Sequence, residues 1–368
     1  MPPLGTVAVA GVGLIGGSVA LGVRERALAE RVVGFDHDAT ALDAALGLGA
    51  VDEARLEPGP WLATVDMLVL AAPTQALPGL AAALLPHLSA GAVVTDVGSV
   101  KRPVVEALAR VPWAGGRGRF VGGHPMAGSE RAGVVNADPS LLENAVWVLT
   151  PDGATSPEAL AAVRGLVAGL GARPIETSPE KHDELVATVS HLPYLAAVAL
   201  TSLLDEGEDR GLKALLAAGG FRDLTRVASG DPRMSRDMVV DNAGPVRAAL
   251  RAFRRALDGL EAVLDDPEAL LARATAAKRA RDAVPVVKRG LLASRWELVV
   301  AVLDRPGEFA RITAALAEAN VNVKDIEVLS VRESGGAVRL AFEDAAAQEA
   351  GRRALEAMGY RVRGRNGG

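Results

Sequence analysis

The chain is predicted to be an α/β protein in three parts. Over residues 1–177, short β-branched runs alternate with helical patterns, the signature of a doubly wound parallel sheet. From 178 to 290 strand signals almost vanish and apolar residues recur at three- and four-residue spacing, which predicts an all-helical part. Residues 291–368 read strand, helix, strand, strand, helix, strand, the ferredoxin-like βαββαβ order. A length of 368 residues suits two or three domains better than one core.

Bulk properties narrow the function. A net charge of -5 and the lack of a long basic run argue against nucleic acid as a partner. With no cysteine there are no disulfides and no Cys-ligated metals, and a cytoplasmic location fits. The N-terminus lacks a signal-peptide pattern, and no uninterrupted apolar run approaches 18 residues, so no membrane span is expected. Aromatic residues are only 3%, so the core is aliphatic and any pocket has few rings to stack on a base.

In the first part, the strand Thr6–Ala10 runs into Gly11-Val12-Gly13-Leu14-Ile15-Gly16, followed by a helical pattern from Gly17 to about Ala29. A second strand, Arg31–Phe35, ends at Asp36, twenty residues after Gly16. This is a Rossmann-type dinucleotide fingerprint with its context. Gly11 permits a tight turn, Gly13 a close backbone approach to a pyrophosphate, and Gly16 close packing of helix on strand. Leu14 and Ile15 open the helix, whose N–H groups and positive end face the phosphates. Asp36 can bind both hydroxyls of an adenosine ribose and repels a 2′-phosphate, which favours NAD over NADP. His37, when protonated, would tolerate that phosphate, and FAD shares the fingerprint. Asp66–Ala72 is a strand closed by Ala72-Pro73-Thr74, with Pro73 at a cofactor edge, and Leu77–Leu88 is a helix. Ala92–Val97 is a strand whose end carries Asp96, Ser99 and Lys101, where ligands of such sheets lie. Ser99 is either an N-cap of the helix reaching Arg110 or part of the chemistry.

Phe120–Gly123 is a further strand, with His124 expected just past its end. A buried histidine satisfied by backbone is the plain reading. Gly122, Gly123, Ala127 and Gly128 are expected to leave space around it, and an imidazole titrating near neutrality can take a proton from an alcohol whose carbon loses hydride. Glu143–Thr150 is a strand with Trp147 packing, and Ala172–Glu176 an edge strand. In the helical part, Pro179–Leu204 is a long apolar helix softened at Leu192-Pro193, with His191 beside the kink. Gly219-Gly220-Phe221 breaks the helices ahead of Arg222 and Arg226. Either arginine is a fork for a carboxylate or plain surface charge.

Five stretches carry a resemblance to the prephenate dehydrogenase family over nearly the whole chain. They are Gly11–Ser18, Asp96–Lys101, Gly123–Glu130, Ser190–Pro193 and Gly219–Arg226. The resemblance implies NAD(P)-linked oxidative decarboxylation of prephenate to 4-hydroxyphenylpyruvate, with arogenate the substrate of a minority of relatives. It implies His124 and Ser99 as catalytic, Arg226 on a substrate carboxylate, His191 in contact with substrate, and Arg222 paired with Glu130 at the entrance. The family often has tryptophan within Asp231–Asp237, where this chain has Ser235, so the pocket wall there differs. The Ala-rich helices Asn242–Leu264 and Glu268–Arg281 are expected to bury a face in a homodimer.

The last part resembles an ACT domain, an amino-acid-sensing module. Its marks are the turn Asp304-Arg305-Pro306-Gly307 and the Asn320-Val321-Asn322 after the first helix. The resemblance implies tyrosine as feedback inhibitor, held near Pro306, Gly307, Asn320 and Asn322; a module kept only for assembly is the alternative. Ala283–Ser294 reads as the linker. Two rival functions share this plan: another small-acid dehydrogenase, or a non-catalytic regulatory protein responding to NAD and an amino acid.

Overall fold

The computed structural model describes residues 3–128, 131–207, 209–284, 296–303, 305–332 and 335–366. They form two compact units, Met1–Ala283 and Val284–Gly368. Most of the expected linker and Asp304 of the expected turn lie outside the described residues.

The first unit is built on an eight-stranded sheet. Its strands are β1 (Leu4–Ala10), β2 (Ala29–Phe35), β3 (Glu53–Arg55), β4 (Met67–Leu70), β5 (Val93–Asp96), β6 (Phe120–Pro125), β7 (Val146–Thr150) and β8 (Arg173–Glu176). The spatial order is β3-β2-β1-β4-β5-β6-β7-β8. Along β1, Val7 and Val9 enter one apolar cluster and Ala8 and Ala10 the other, so the strand is buried on both faces, as a helix-covered parallel sheet requires. The order reverses between β1 and β4, which pair in parallel from Val7↔Met67 to Ala10↔Leu70. That reversal is the crevice where such sheets take ligands.

Three local expectations are corrected. The first helix spans Leu14–Glu25 and does not reach Ala29. Ala27 turns the chain at φ 50° and Ala29 already belongs to β2, so alanine-rich composition overstated the helix. The sheet is not wholly parallel: β7 runs antiparallel to β6, with His124 opposite Val148. Only a short 3-10 turn, Val134–Asn136, forms in the described part of the connection, so no crossover helix carries the chain back. Third, His124 lies within β6 and not beyond it.

The helical part runs Pro179–Val186, Leu192–Ser202, Arg210–Leu216, Gly219–Thr225, Pro232–Asp241, Ala243–Glu261 and Pro267–Asp282. The softening expected at Leu192-Pro193 is a π-helical turn, Ala187–His191, immediately before the proline. Pro193 has no N–H for the preceding turn, and the wider winding presents His191. Gly219 and Gly220 do not break a helix but open one, with Ala218 extended ahead of them. By length and composition alone Pro179–Ser202 could cross a membrane. However, its first half carries buried His182, Asp183 and His191, and Ala187 packs with Val246 and Ala249.

The second unit has β9 (Trp296–Val302), β10 (Asp325–Arg332), β11 (Gly335–Phe342) and β12 (Val362–Asn366), in the order β10-β11-β9-β12, all antiparallel. Helices Glu308–Glu318 and Ala345–Ala357 complete the ferredoxin-like fold over a core that includes Leu298, Val300, Ile312, Leu340 and Phe342. Gly307 enters the first helix at φ 83°, a conformation that favours glycine. Asn320 leaves it at φ 54°, which asparagine tolerates better than most residues.

Candidate active site

The Gly-rich turn forms as its spacing requires. Gly11 has φ 100°, and a Cβ there would lie 2.6 Å from the backbone carbon of Ala71 at the end of β4. A Cβ on Gly16 would meet the Gly11 carbonyl oxygen at 1.9 Å, so helix and loop touch. Gly13 is different: nothing lies within 4 Å of the position its Cβ would take. No side chain caps the helix that begins at Leu14, and no acid sits in its first turn. Its first N–H groups, including that of Ile15, thus have no capping side chain among the described residues, which fits a pyrophosphate at this positive end. The Asp36 carboxylate accepts from the Val12 N–H at 2.9 Å and from the Asp38 N–H at 3.1 Å, which fixes it at the end of β2 beside that loop. His37 Nδ1 is 2.9 Å from Asp36 Oδ1, the oxygen that also accepts from Asp38, but is itself almost wholly exposed. Pro73 follows β4 and leads into a 3-10 turn at the crevice edge. These residues fit a dinucleotide. The Gly13→Ala variant should fold with unchanged melting temperature yet bind NAD at least about tenfold more weakly, as titration of NAD binding would read. Equal affinity would remove Gly13 from the cradle.

His124 is held from three sides. Lys101 and Asp96 are fully buried and paired, and Lys101 Nζ also donates to the Gly123 carbonyl at 2.6 Å. Asp96 accepts from the N–H of Gly123 at 3.0 Å and of Gly98 at 2.8 Å. Gly122 and Gly123 leave no space, contrary to expectation. A Cβ on Gly123 would meet the Asp96 carbonyl oxygen at 2.5 Å and Trp147 Nε1 at 2.8 Å, so these glycines let β5 and β7 close in beneath the histidine. Only Gly128, with nothing within 4 Å, is open.

The third support was not foreseen from the sequence. His124 Nδ1 lies 2.8 Å from His182 Nε2, and His182 Nδ1 lies 2.8 Å from Asp183 Oδ1. Both Asp183 oxygens also accept backbone N–H groups, from Lys101 at 2.8 Å and Arg102 at 2.9 Å. An ionised carboxylate only accepts, so His182 Nδ1 is the donor toward Asp183, and the single proton between His124 Nδ1 and His182 Nε2 sits on one ring or the other. In the arrangement where His182 Nε2 accepts, His124 donates from Nδ1 and its Nε2 is a lone pair without a hydrogen-bond partner among the described residues. Burial drives the His124 pKa well below the ordinary histidine value, and the nearby Lys101, His182 and His191 push the same way. The imidazole is therefore a free base at neutral pH.

Asp183 also supplies the helix cap that Ser99 was offered for. The helix Arg102–Leu108 begins three residues after Ser99, and its first N–H groups go to Asp183. The Ser99 hydroxyl has no hydrogen bond among the described residues and none joins it to His124. His191 is buried and bonded to Asn242. Arg226 opens a 3-10 turn packed against the Leu192–Ser202 helix that His191 precedes. Arg222 and Arg226 are exposed, and neither forms an ion pair among the described residues. Glu130, the expected partner of Arg222, lies outside the described residues. Ser235 is buried in the helix Pro232–Asp241. In the second unit, Gly307 and Asn320 occupy the turns at the two ends of one helix, and Asn322 is exposed.

The Gly-rich turn fits a dinucleotide and His124 is backed by His182 and Asp183; comparisons with known proteins give the chain a family. Residues 19–176 match the prephenate dehydrogenase nucleotide-binding domain, 178–272 its dimerization domain, and 296–359 the ACT domain. The prephenate dehydrogenase of Bacillus subtilis (strain 168) is 34% identical over 346 residues, covering 92% of each chain. The crystal structure of prephenate dehydrogenase from A. aeolicus, in complex with hydroxyphenyl propionate and NAD+, aligns with a TM-score of 0.72 at 32% identity. It covers 77% of this chain and 99% of that one. Synechocystis arogenate dehydrogenase aligns with a TM-score of 0.68 at 33% identity, over 75% of this chain and 99% of that one. With three family domains matched in order and relatives above 30% identity over most of both chains, the chain belongs to the prephenate dehydrogenase family and is an NAD-dependent dehydrogenase.

Proposed function

We propose that the protein catalyses the oxidative decarboxylation of prephenate to 4-hydroxyphenylpyruvate, as a cytoplasmic homodimer inhibited by tyrosine. The observation that carries the chemistry is His124 Nε2, which has no hydrogen-bond partner among the described residues, on a ring backed by His182 and Asp183. In this reading residues 1–177 hold the dinucleotide, 178–290 the substrate and the partner subunit, and 291–368 the effector. NAD supplies the hydride acceptor. Gly11, Gly13, Leu14, Ile15 and Gly16 line its pyrophosphate, Asp36 its ribose, and Pro73 and Ser99 its edge. Arg226 holds a substrate carboxylate, with His191 and Arg222 beside it. His124 Nε2, assisted by Ser99, accepts the proton of the ring hydroxyl as its carbon is oxidised. The charge that forms on the imidazole is shared along the hydrogen bond to His182 and offset by Asp183. Loss of the ring carboxylate makes the product aromatic, so the protein need supply little beyond positioning and one base.

Exposed leucines on the helical part, among them Leu212, Leu215, Leu216 and Leu224, support its use as a subunit interface. Arogenate is the second reading, favoured by Ser235 at the pocket wall and by the likeness to an arogenate dehydrogenase. The deciding experiment follows NADH formation with prephenate or arogenate, with and without tyrosine. Turnover of prephenate that tyrosine suppresses is expected. Turnover of arogenate alone would move the substrate assignment, insensitivity to tyrosine would leave the C-terminal module to assembly, and no turnover would overturn the proposal.

A further inference from the structure

Asn242 is 2% exposed and sits at the junction of the helices Pro232–Asp241 and Ala243–Glu261. Its side-chain Nδ2 donates to the Asp183 carbonyl at 2.8 Å and lies 3.2 Å from His191 Nδ1. A carbonyl has no proton to give, so the group facing Asp183 must be the amide NH2. The second hydrogen of that NH2 points to His191 Nδ1, which must therefore be the acceptor. A neutral histidine that accepts at one ring nitrogen carries its proton on the other.

We propose that Asn242 is a positioning residue that locks His191 as the neutral tautomer protonated at Nε2, so that His191 meets an anionic substrate as a hydrogen-bond donor and not as a cation. The proposal rests on the reading that His191 faces the substrate. The surroundings support the neutral state: burial pulls the His191 pKa to about 4, His182 pushes it the same way, and Asp183 only partly opposes them. Recognition of the substrate's charge then falls to arginine, while His191 contributes direction. A single side chain on the far side of His191 also joins it to Asp183, so the proton-accepting and substrate-orienting histidines are set from one point.

The test uses the full chain labelled with 15N-histidine, with the His191 signal assigned by its loss in His191→Gln. In the wild type, His191 should show the Nε2–H tautomer and no titration between pH 5 and 8. In Asn242→Asp the carboxylate demands a proton from Nδ1, so the tautomer should invert and a titration should enter that range. In Asn242→Ala the tautomers should mix. The KM for the substrate turned over should rise about tenfold in both variants, with kcat within about threefold. An unchanged His191 signal in both folded variants would overturn the role of Asn242. An inverted tautomer with unchanged KM would uphold that role and refute His191 as a substrate contact.

Discussion

Replacing His124 by asparagine should lower turnover by about a hundredfold to ten-thousandfold, the range for loss of a positioned general base. Asparagine can place its amide NH2 where Nδ1 stood, keeping a donor toward His182 Nε2 in a smaller side chain, so β6 and the Gly-rich turn should be undisturbed. NAD affinity should stay within about twofold, as binding titrations would show. The pH profile offers a second check. Because burial and three neighbouring basic groups depress the His124 pKa, the base is free throughout the neutral range. Wild-type kcat should be flat there and fall only in acid, as the pH drops through that depressed pKa. Near-normal turnover in the variant would end the assignment of His124 as the base.

The largest effect on stability is expected at Lys101. Its amine is fully buried, burial lowers its pKa, and Asp96 acts in the opposite direction. Lys101→Met keeps the apolar stem but leaves Asp96 charged and uncompensated in the interior. Removing one partner of such a pair costs about 3–5 kcal/mol. At roughly 2–4 °C per kcal/mol for a unit of this size, the melting temperature should fall on the order of 10 °C. The Lys101→Met, Asp96→Asn double variant should recover part of the loss, since the stranded charge is gone. A single variant melting within 2 °C of wild type would show that the pair carries little of the stability of residues 1–283.

Much of this could be read from the chain, and the parts that could not share a cause. The Gly-rich turn was legible because Gly11, Gly16 and Asp36 set local backbone geometry at fixed spacing. His124 was legible because a lone histidine among small residues at a strand end is unusual. His182 and Asp183 were not, since their meaning depends on a partner 58 residues away for His182 and on two backbone N–H groups more than 80 residues away for Asp183. The available signal was a His-Asp pair flanked by Glu180, Lys181 and Glu184 at the start of the helix, where a solvated face is the ordinary reading. Asn242 likewise looks like a helix boundary until its amide is placed. The antiparallel β7 had a better clue, because no helical pattern separates Pro125 from Val146. Gly122 and Gly123 were recognised as special for the wrong reason: they admit Trp147 and β5, and no substrate space is gained.

The Asp183 contacts to Lys101 and Arg102 bear on how the protein can be divided. The base grows from the sheet, while the groups that set its proton arrive on the first helix after it. A fragment ending at residue 177 would keep the nucleotide cradle but lose the tautomer of His124 and the cap of the helix Arg102–Leu108. Dinucleotide binding and proton acceptance are thus separable by a single cut. Grafting the sheet alone onto another substrate module would transfer a cofactor site and no catalyst.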